Sequence, residues 1–264
     1  MIKLGIVIPL KSKVASRDWA VTSACLKRTL TSLEAQTSGN WVSVVVGHER
    51  PDCFKSDCYR TDFSSLELPA PQPPPGAHRT RNAMWEKQRI LDKNRKLVRG
   101  LQLLCDRGID YWFYLDADDL LHREFTERVS RMNLRAGAIL DGGYVYFPST
   151  RRILPESDMS AICGSTSILR AGDVPIPDSL EIDCITRVPW CRYSHMQMDR
   201  YFQNEAGGEF LRIGERLIAY SMGHGDNCSD GYRDTSVRRL KAWLKPYVLG
   251  LRLSPAVRSD FSLA

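Results

Sequence analysis

The chain has 264 residues, 43% of them hydrophobic and 26% charged, with a formal net charge of +6. That is enough apolar side chain for one large core without disulfide or metal staples, and the mild positive balance suits an anionic ligand or a membrane surface. No aromatic-basic RNA motif and no zinc-finger spacing appears, which argues against a nucleic-acid partner.

The opening stretch MIKLGIVIPLKSK has too short an apolar run for a secretory leader and leads into lysines rather than a cleavage site. No apolar run is long enough to span a bilayer, so a cytoplasmic protein is expected. KLGIVIPL is a β-branched run ended by Pro9, as in a buried strand. DWAVTSACLKRTLTSLEAQT comes next, with Ala20, Ala24, Leu26, Leu30 and Leu33 near helical spacing, and Asp18 placed to cap it. WVSVVVGHE predicts a second strand closed by Gly47. The proline-rich stretch from Pro51 to Arg81 fits neither element and predicts a long surface loop. The chain's eight cysteines are expected as free thiols. Cys53 and Cys58 stand near His48 and His78, but without a C-x-x-C pair their loose spacing favours a structural role over zinc.

A basic helix is predicted from Trp85 to Arg107, apolar at Leu97, Leu101 and Leu104, then a strand over 111–115 and a helix from Arg123 to Leu134. AGAILDGGYVYFP predicts a strand broken at Gly142-Gly143, AICGSTSILR another, Tyr193 to Asn204 a helix, and RIGERLIAYSMGHGDN a strand entering a polar loop. The tail from Tyr232 to Leu253 is expected to be helical, interrupted at Pro246. Strand and helix alternate, which implies an α/β fold: a single Rossmann-like domain with a mostly parallel central sheet flanked by helices. The expected organisation is a catalytic domain over 1–230, with a nucleotide-binding half at 1–120 and an irregular acceptor half at 121–230. A basic amphipathic tail would occupy 231–264.

The stretch YWFYLDADD drives an apolar strand into Asp116, Asp118 and Asp119. Such carboxylates repel one another unless a cation stands between them. In an open parallel sheet, ligands bind beyond the carboxyl ends of the strands, and residues two apart in an extended segment share a side. Asp116 and Asp118 could therefore face one point, where hard oxygen ligands suit Mn²⁺ or Mg²⁺. His224, between two glycines after a strand, is a candidate third ligand, since imidazole serves Mn²⁺ beside carboxylates.

YWFYLDADD resembles the DxD strand of GT-A glycosyltransferases of the family-2 type. LGIVIPL is similar to that family's first strand, LKRTLTSLEAQT to its first helix, and ICGSTSILR to its later acceptor-side strand. Val98, Arg99 and Gly100 occupy the places of its Ala-Arg-Asn segment. The likeness runs in order from Ile2 to about Asn227. It implies a metal-dependent transferase moving a sugar from a nucleotide-sugar, UDP-linked by analogy, to a carbohydrate or lipid-linked acceptor hydroxyl with inversion. Pro9, Leu10, Arg99, Asp116 and Ala117 would hold the nucleotide-sugar; Asp116, Asp118 and His224 would hold the ion. The chain has GHERPD where the family often has Asp-Asp-Gly-Ser, so Glu49, then Asp52, is the acidic group expected near the base. SHMQMDRYF offers Asp199 as the catalytic base, without the glutamate that often precedes it.

A sugar nucleotidyltransferase could use a similar sheet and metal, but IPLKSKVASRDW lacks the glycine-rich loop expected there. An aspartyl phosphatase would want Thr or Val where Leu120 stands. A non-catalytic nucleotide- or carbohydrate-binding module of the same fold is the remaining alternative, and intact Asp116, Asp118 and His224 argue against it. In the tail, Arg238, Arg239, Lys241, Lys245 and Arg252 interleave with Leu240, Trp243, Leu244, Tyr247 and Leu251, a pattern able to touch a membrane peripherally.

Overall fold

The structure is a computed structural model, and it describes residues 2–54, 60–76, 82–224 and 244–263. The strands are β1 (Leu4–Pro9), β2 (Trp41–Gly47), β3 (Asp62–Ser65), β4 (Tyr111–Tyr114), β5 (Leu120–Leu121), β6 (Gly137–Leu140), β7 (Gly143–Phe147), β8 (Arg152–Glu156), β9 (Ser167–Arg170), β10 (Leu211–Ile213), β11 (Ile218–Ser221) and β12 (Leu251–Arg252). The helices are α1 (Trp19–Glu34), α2 (Ala83–Leu104), α3 (Phe125–Ser130), α4 (Ile182–Ile185), α5 (Pro189–Arg192), α6 (Met198–Asn204), α7 (244–249) and α8 (Pro255–Asp260).

The main sheet runs β10-β6-β9-β4-β1-β2-β3. Its β1–β2, β1–β4, β2–β3 and β6–β10 pairs are parallel, while β9 runs against both β4 and β6. The fold is therefore α/β with a mostly parallel central sheet, as the alternation of elements implies. Every residue of β1 is buried, and its side chains alternate between two cores. Leu4, Ile6 and Ile8 join Leu26 and Leu30 of α1 on one face; Val7 joins Leu97 and Leu101 of α2 on the other. Period-two strands and helices on both faces produce that division directly.

Local chemistry fixes the helix starts. The Asp18 carboxylate accepts from the Ala20 and Val21 amides, and Asn82 caps α2 by accepting from the Trp85 amide at 3.0 Å. Gly100 lets α2 lie close on β1, since a Cβ there would stand 2.2 Å from Val7 Cγ1. That approach carries the preceding turns of α2 over the sheet's strand ends.

Several expectations are corrected. The proline-rich segment contains β3, which extends the sheet parallel to β2, so it is not wholly loop. DFSS has no alternating pattern to announce a strand. AGAILDGGYVYFP forms two strands in different sheets, because the chain turns at Gly142, where a Cβ would meet the Gly214 carbonyl oxygen at 2.0 Å. RIGERLIAYS likewise splits into β10 and β11. The helix expected from Arg123 to Leu134 covers only Phe125–Ser130, and that from Tyr193 begins as a 3-10 turn at His195–Gln197. In the tail, 232–243 lie outside the described residues, and Leu251–Arg252 pair antiparallel with β8 rather than continuing a helix.

These pieces build a second sheet, β12-β8-β7-β11-β5, that the sequence did not announce. Phe261, after α8, is buried and meets His122 and Tyr144 edge-on, so the chain's end packs on this sheet. β5 comes directly after the carboxylate stretch, and β11 leads to His224; their antiparallel pairing brings these distant segments together.

Candidate active site

A cavity of about 410 Å³ opens beyond the carboxyl ends of β1 and β4. Pro9, Leu10 and Lys11 bound it after β1; Asp116, Ala117 and Asp118 bound it after β4. α2 contributes Arg89, Asp92, Lys93 and Lys96 from one helical stripe, and His195 and His224 close the other side.

The three carboxylates after β4 part company. Asp119 turns into the core and is fully buried. Its Oδ2 accepts from the Ser165 hydroxyl at 2.7 Å and the Cys163 thiol at 3.3 Å, and its Oδ1 from the Ser221 amide at 3.2 Å. Burial, then the Asp118 and Asp116 charges, pushes this carboxyl well above the usual range. Asp119 thus ties β11 and the 163–165 turn to the carboxylate segment.

Asp116 is held at its amide by Ser165 Oγ, 2.8 Å away. Its Oδ1 accepts from the Tyr114 hydroxyl and lies 3.3 Å from Lys93 Nζ. Lys93 also sits 4.4 Å from the centroid of the Tyr114 ring, a cation–π contact. Burial, then Asp116, pushes the Tyr114 hydroxyl well up, so it remains a proton donor.

Asp118 meets His224. Nε2 of His224 and Oδ2 of Asp118 are 2.8 Å apart, with the imidazole 7% and the carboxylate 24% exposed. His224 Nδ1 is buried with no hydrogen-bond partner among the described residues. Carboxylate oxygen and imidazole nitrogen are donors a divalent cation takes, but Nε2, the nitrogen beside the carboxylate, is already paired with Asp118, and the orphaned Nδ1 is on the other side of the ring. Among the described residues no group of three His, Cys, Asp or Glu side chains could hold a metal. Asp116 therefore does not join Asp118 and His224 in a ready three-ligand cage; it is engaged with Lys93 and Tyr114.

A second cluster lies at the β2 side of the cavity. His48 Nε2 is 2.7 Å from Asp92 Oδ1, and Lys96 Nζ is 2.5 Å from Asp92 Oδ2. The Lys96 side chain is 1% exposed, and burial lowers its pKa against the opposing pull of Asp92. Burial alone would raise Asp92, but the His48 hydrogen bond and the Lys96 charge outweigh it and bring the carboxyl below its ordinary value. A buried ammonium with a single carboxylate partner retains further N–H donors, and Lys96 lines the cavity.

No protein-family model matches this chain, and no curated protein does. Among solved structures it is similar to a crystal structure of S. aureus TarS 1-349, with 13% identity and a TM-score of 0.44 over 83% of this chain and 60% of that one. A second structure of S. aureus TarS matches with 11% identity and a TM-score of 0.44 over 95% of this chain and 41% of that one. The chain thus spans less than two thirds of either TarS chain. At this level of likeness neither substrate nor activity passes from TarS to this protein.

The other sequence candidates divide between the cavity and its surroundings. Pro9, Leu10 and Ala117 line the cavity; Glu49, Asp52, Arg99 and Asp199 do not. Glu49 accepts from the Lys13 amide at 2.9 Å, and Asp52 is exposed in a 3-10 turn. Arg99 points to Gln102, its Nη1 3.4 Å from Oε1, while Val98 and Gly100 are buried against the sheet. Asp199 is half-buried in the first turn of α6. Four residues earlier, His195 reaches the cavity, and its Nδ1 is 2.6 Å from the Ser160 carbonyl oxygen. A carbonyl only accepts, so Nδ1 carries the proton and Nε2 of the neutral ring is left basic. Arg81, Cys58 and His78 lie outside the described residues, and Cys53 is a free, half-buried thiol.

Sequence reasoning missed Lys93, Asp92 and His195; it met His48 only as a neighbour of Cys53 and Cys58, and Lys96 only as one of the basic residues of the predicted helix. One signal was legible: Arg89, Asp92, Lys93 and Lys96 recur at helical spacing, one face of α2. The pairing of that face with Asp116 and His48 was not.

Proposed function

We propose that this protein is a glycosyltransferase that moves a sugar from a nucleotide-sugar of the UDP class to an acceptor hydroxyl, with Mn²⁺ or Mg²⁺ held by Asp118 and His224. The observation that carries this reading is the cavity beyond the β1 and β4 ends, where the Asp118–His224 pair faces the basic stripe of α2. A nucleoside diphosphate needs that combination: a metal site for the phosphates, cationic side chains beside it, and an apolar wall for the base.

Pro9 and Leu10 form the wall against which the nucleoside rests. Lys96 offers its unused N–H donors to an acceptor on the nucleotide, held in place by Asp92 and His48. Asp116 lies at the sugar side, within reach of Lys93. The bound ion would supply positive charge to the diphosphate as it departs. On the acceptor side, a base takes the hydroxyl proton while that oxygen bonds to the anomeric carbon and the bond to the diphosphate breaks, which gives inversion. His195 is the base this geometry favours, because it lines the cavity; Asp199 is the alternative one turn along the chain. The acceptor would be a carbohydrate or a lipid-linked sugar.

The test is nucleotide release from a nucleotide-sugar panel, with EDTA and Mn²⁺ controls. Asp118→Asn is expected to keep the melting temperature and to lose turnover by about a hundredfold or more, since it removes a ligand to the charge-neutralising ion. Undiminished turnover in that variant, or in EDTA, sinks the metal-dependent mechanism.

A further inference from the structure

The stretch ICGSTSILR carries small residues that all bear on Asp116. Ser165 is fully buried, and both sides of its hydroxyl are committed. Oγ accepts from the Asp116 amide at 2.8 Å and donates its proton to Asp119 Oδ2 at 2.7 Å. Gly164 faces the Asp116 side chain: a Cβ there would stand 2.7 Å from Asp116 Oδ2 and 2.9 Å from the Tyr114 hydroxyl oxygen. Ser167 acts at one remove. Its Oγ accepts from the Trp190 indole N–H at 2.8 Å, and the Trp190 ring meets the Tyr114 ring edge-on, with centroids 6.2 Å apart. The Tyr114 hydroxyl in turn donates to Asp116 Oδ1.

The amide, Oδ1 and Oδ2 of Asp116 thus each meet a different neighbour, although its side chain is 28% exposed and borders the cavity. A carboxylate in a solvated turn needs no such frame. One that must meet a substrate group within hydrogen-bond range gains from being oriented beforehand, because a misplacement of about 1 Å can cost a hundredfold in rate. We propose that Tyr114 and Ser165 are positioning residues: they fix Asp116 in the orientation in which its carboxylate meets the sugar part of the donor, and Gly164 leaves the space which that orientation needs. The inference rests on the donor reading above. The frame itself consists of protein groups alone and asks nothing of a metal.

The experiment follows transfer by the full chain from the nucleotide-sugar that wild type turns over, beside calorimetry for UDP and thermal melting. UDP lacks the sugar, so a fault on the sugar side spares its affinity. Tyr114→Phe keeps the ring and its contact with Trp190. It should lower kcat about tenfold or more, with UDP affinity and melting temperature unchanged. Ser165→Ala should do the same, and where it melts low, Tyr114→Phe decides alone. Asp116→Ala should lose at least as much transfer as either. In the Asp116→Ala background Tyr114→Phe should cost nothing further, because a residue that acts only through another has no effect once that other is gone. A parallel fall in UDP affinity, additive losses in the double variant, or full turnover in Tyr114→Phe or Asp116→Ala overturns the positioning while leaving the transferase reading in place. Failure of wild type to turn over any nucleotide-sugar overturns both.

Discussion

Neighbouring residues of like type can have unlike roles, and Asp116, Asp118 and Asp119 show it. Asp119 is an acceptor inside the core, Asp116 the partner of Lys93 and Tyr114, and Asp118 the partner of His224. The carboxylate cluster was legible in the sequence, because three acids after an apolar strand need an explanation. Their directions were not, because the turn after β4 sets where each side chain points, and residues from the 163–165 turn, from β11 and just beyond it, and from α2 decide which it meets. The base obeys the same logic. His195 reaches the cavity with Nδ1 committed to the Ser160 carbonyl, while Asp199 stands outside the lining. His195→Gln is expected to lower kcat by about a hundredfold or more with UDP affinity unchanged, the size typical of a lost general base. Asp199→Asn should change kcat by less than about tenfold, too little for the base itself. Steady-state kinetics with calorimetry for UDP decides between them; the opposite ranking assigns the proton transfer to Asp199.

Strong local patterns marked some elements and left others silent. β1, β2, β4, α1 and α2 were legible because each carries its own period, its cap or its closing glycine. β5 and β12 were not, because their residues gain a strand's hydrogen bonds by pairing with segments far along the chain; β8 was not either, although it pairs with β7 just before it. Pro155 lies within β8, and a proline weakens any local strand signal. The position of α2 is the element-level condition for the site, since that helix carries Lys93, Lys96 and Asp92. Gly100 sets it: a methyl group there would stand 2.2 Å from Val7 Cγ1. Gly100→Ala should therefore destabilise the protein by about 1–3 kcal/mol through overpacking. Val7→Ala in the same chain should recover part of that loss, because neighbouring residues sharing one contact are not additive. Denaturant melts of the two single variants and the double variant give the coupling; strictly additive losses would remove Gly100 as the spacer.

At the scale of the whole molecule, the basic amphipathic tail is the part whose pattern suits a membrane surface. Among the described residues no helix is long and apolar enough to cross one. Arg238, Arg239, Leu240, Lys241 and Trp243 lie outside the described residues. Further along the tail, Tyr247, Val248, Leu249 and Leu251 are 50%, 72%, 56% and 55% exposed, and Val248 and Leu249 present bulky apolar groups to water in sequence. Arg151 and Arg252 are exposed on strands or turns beside them, and Lys245 is half-buried on α7. We propose that this corner touches anionic lipid, where each basic side chain near the surface adds about 1 kcal/mol. α7 is too short to lie in an interface as a helix of its own, so the contact would be a patch of the folded domain. Truncation before the tail would strip β12 from β8 and Phe261 from its buried seat, so a lost interaction could reflect a damaged second sheet. Val248→Asp with Leu249→Asp changes two exposed positions instead, at little cost expected to folding. The full chain should pellet with vesicles containing anionic lipid at low salt, less so at high salt, and not with neutral vesicles. The double variant should stay in the supernatant with both. Equal recovery of wild type and variant in the supernatant, with anionic vesicles at low salt, would remove the membrane from the account and leave this corner as a contact for another protein surface.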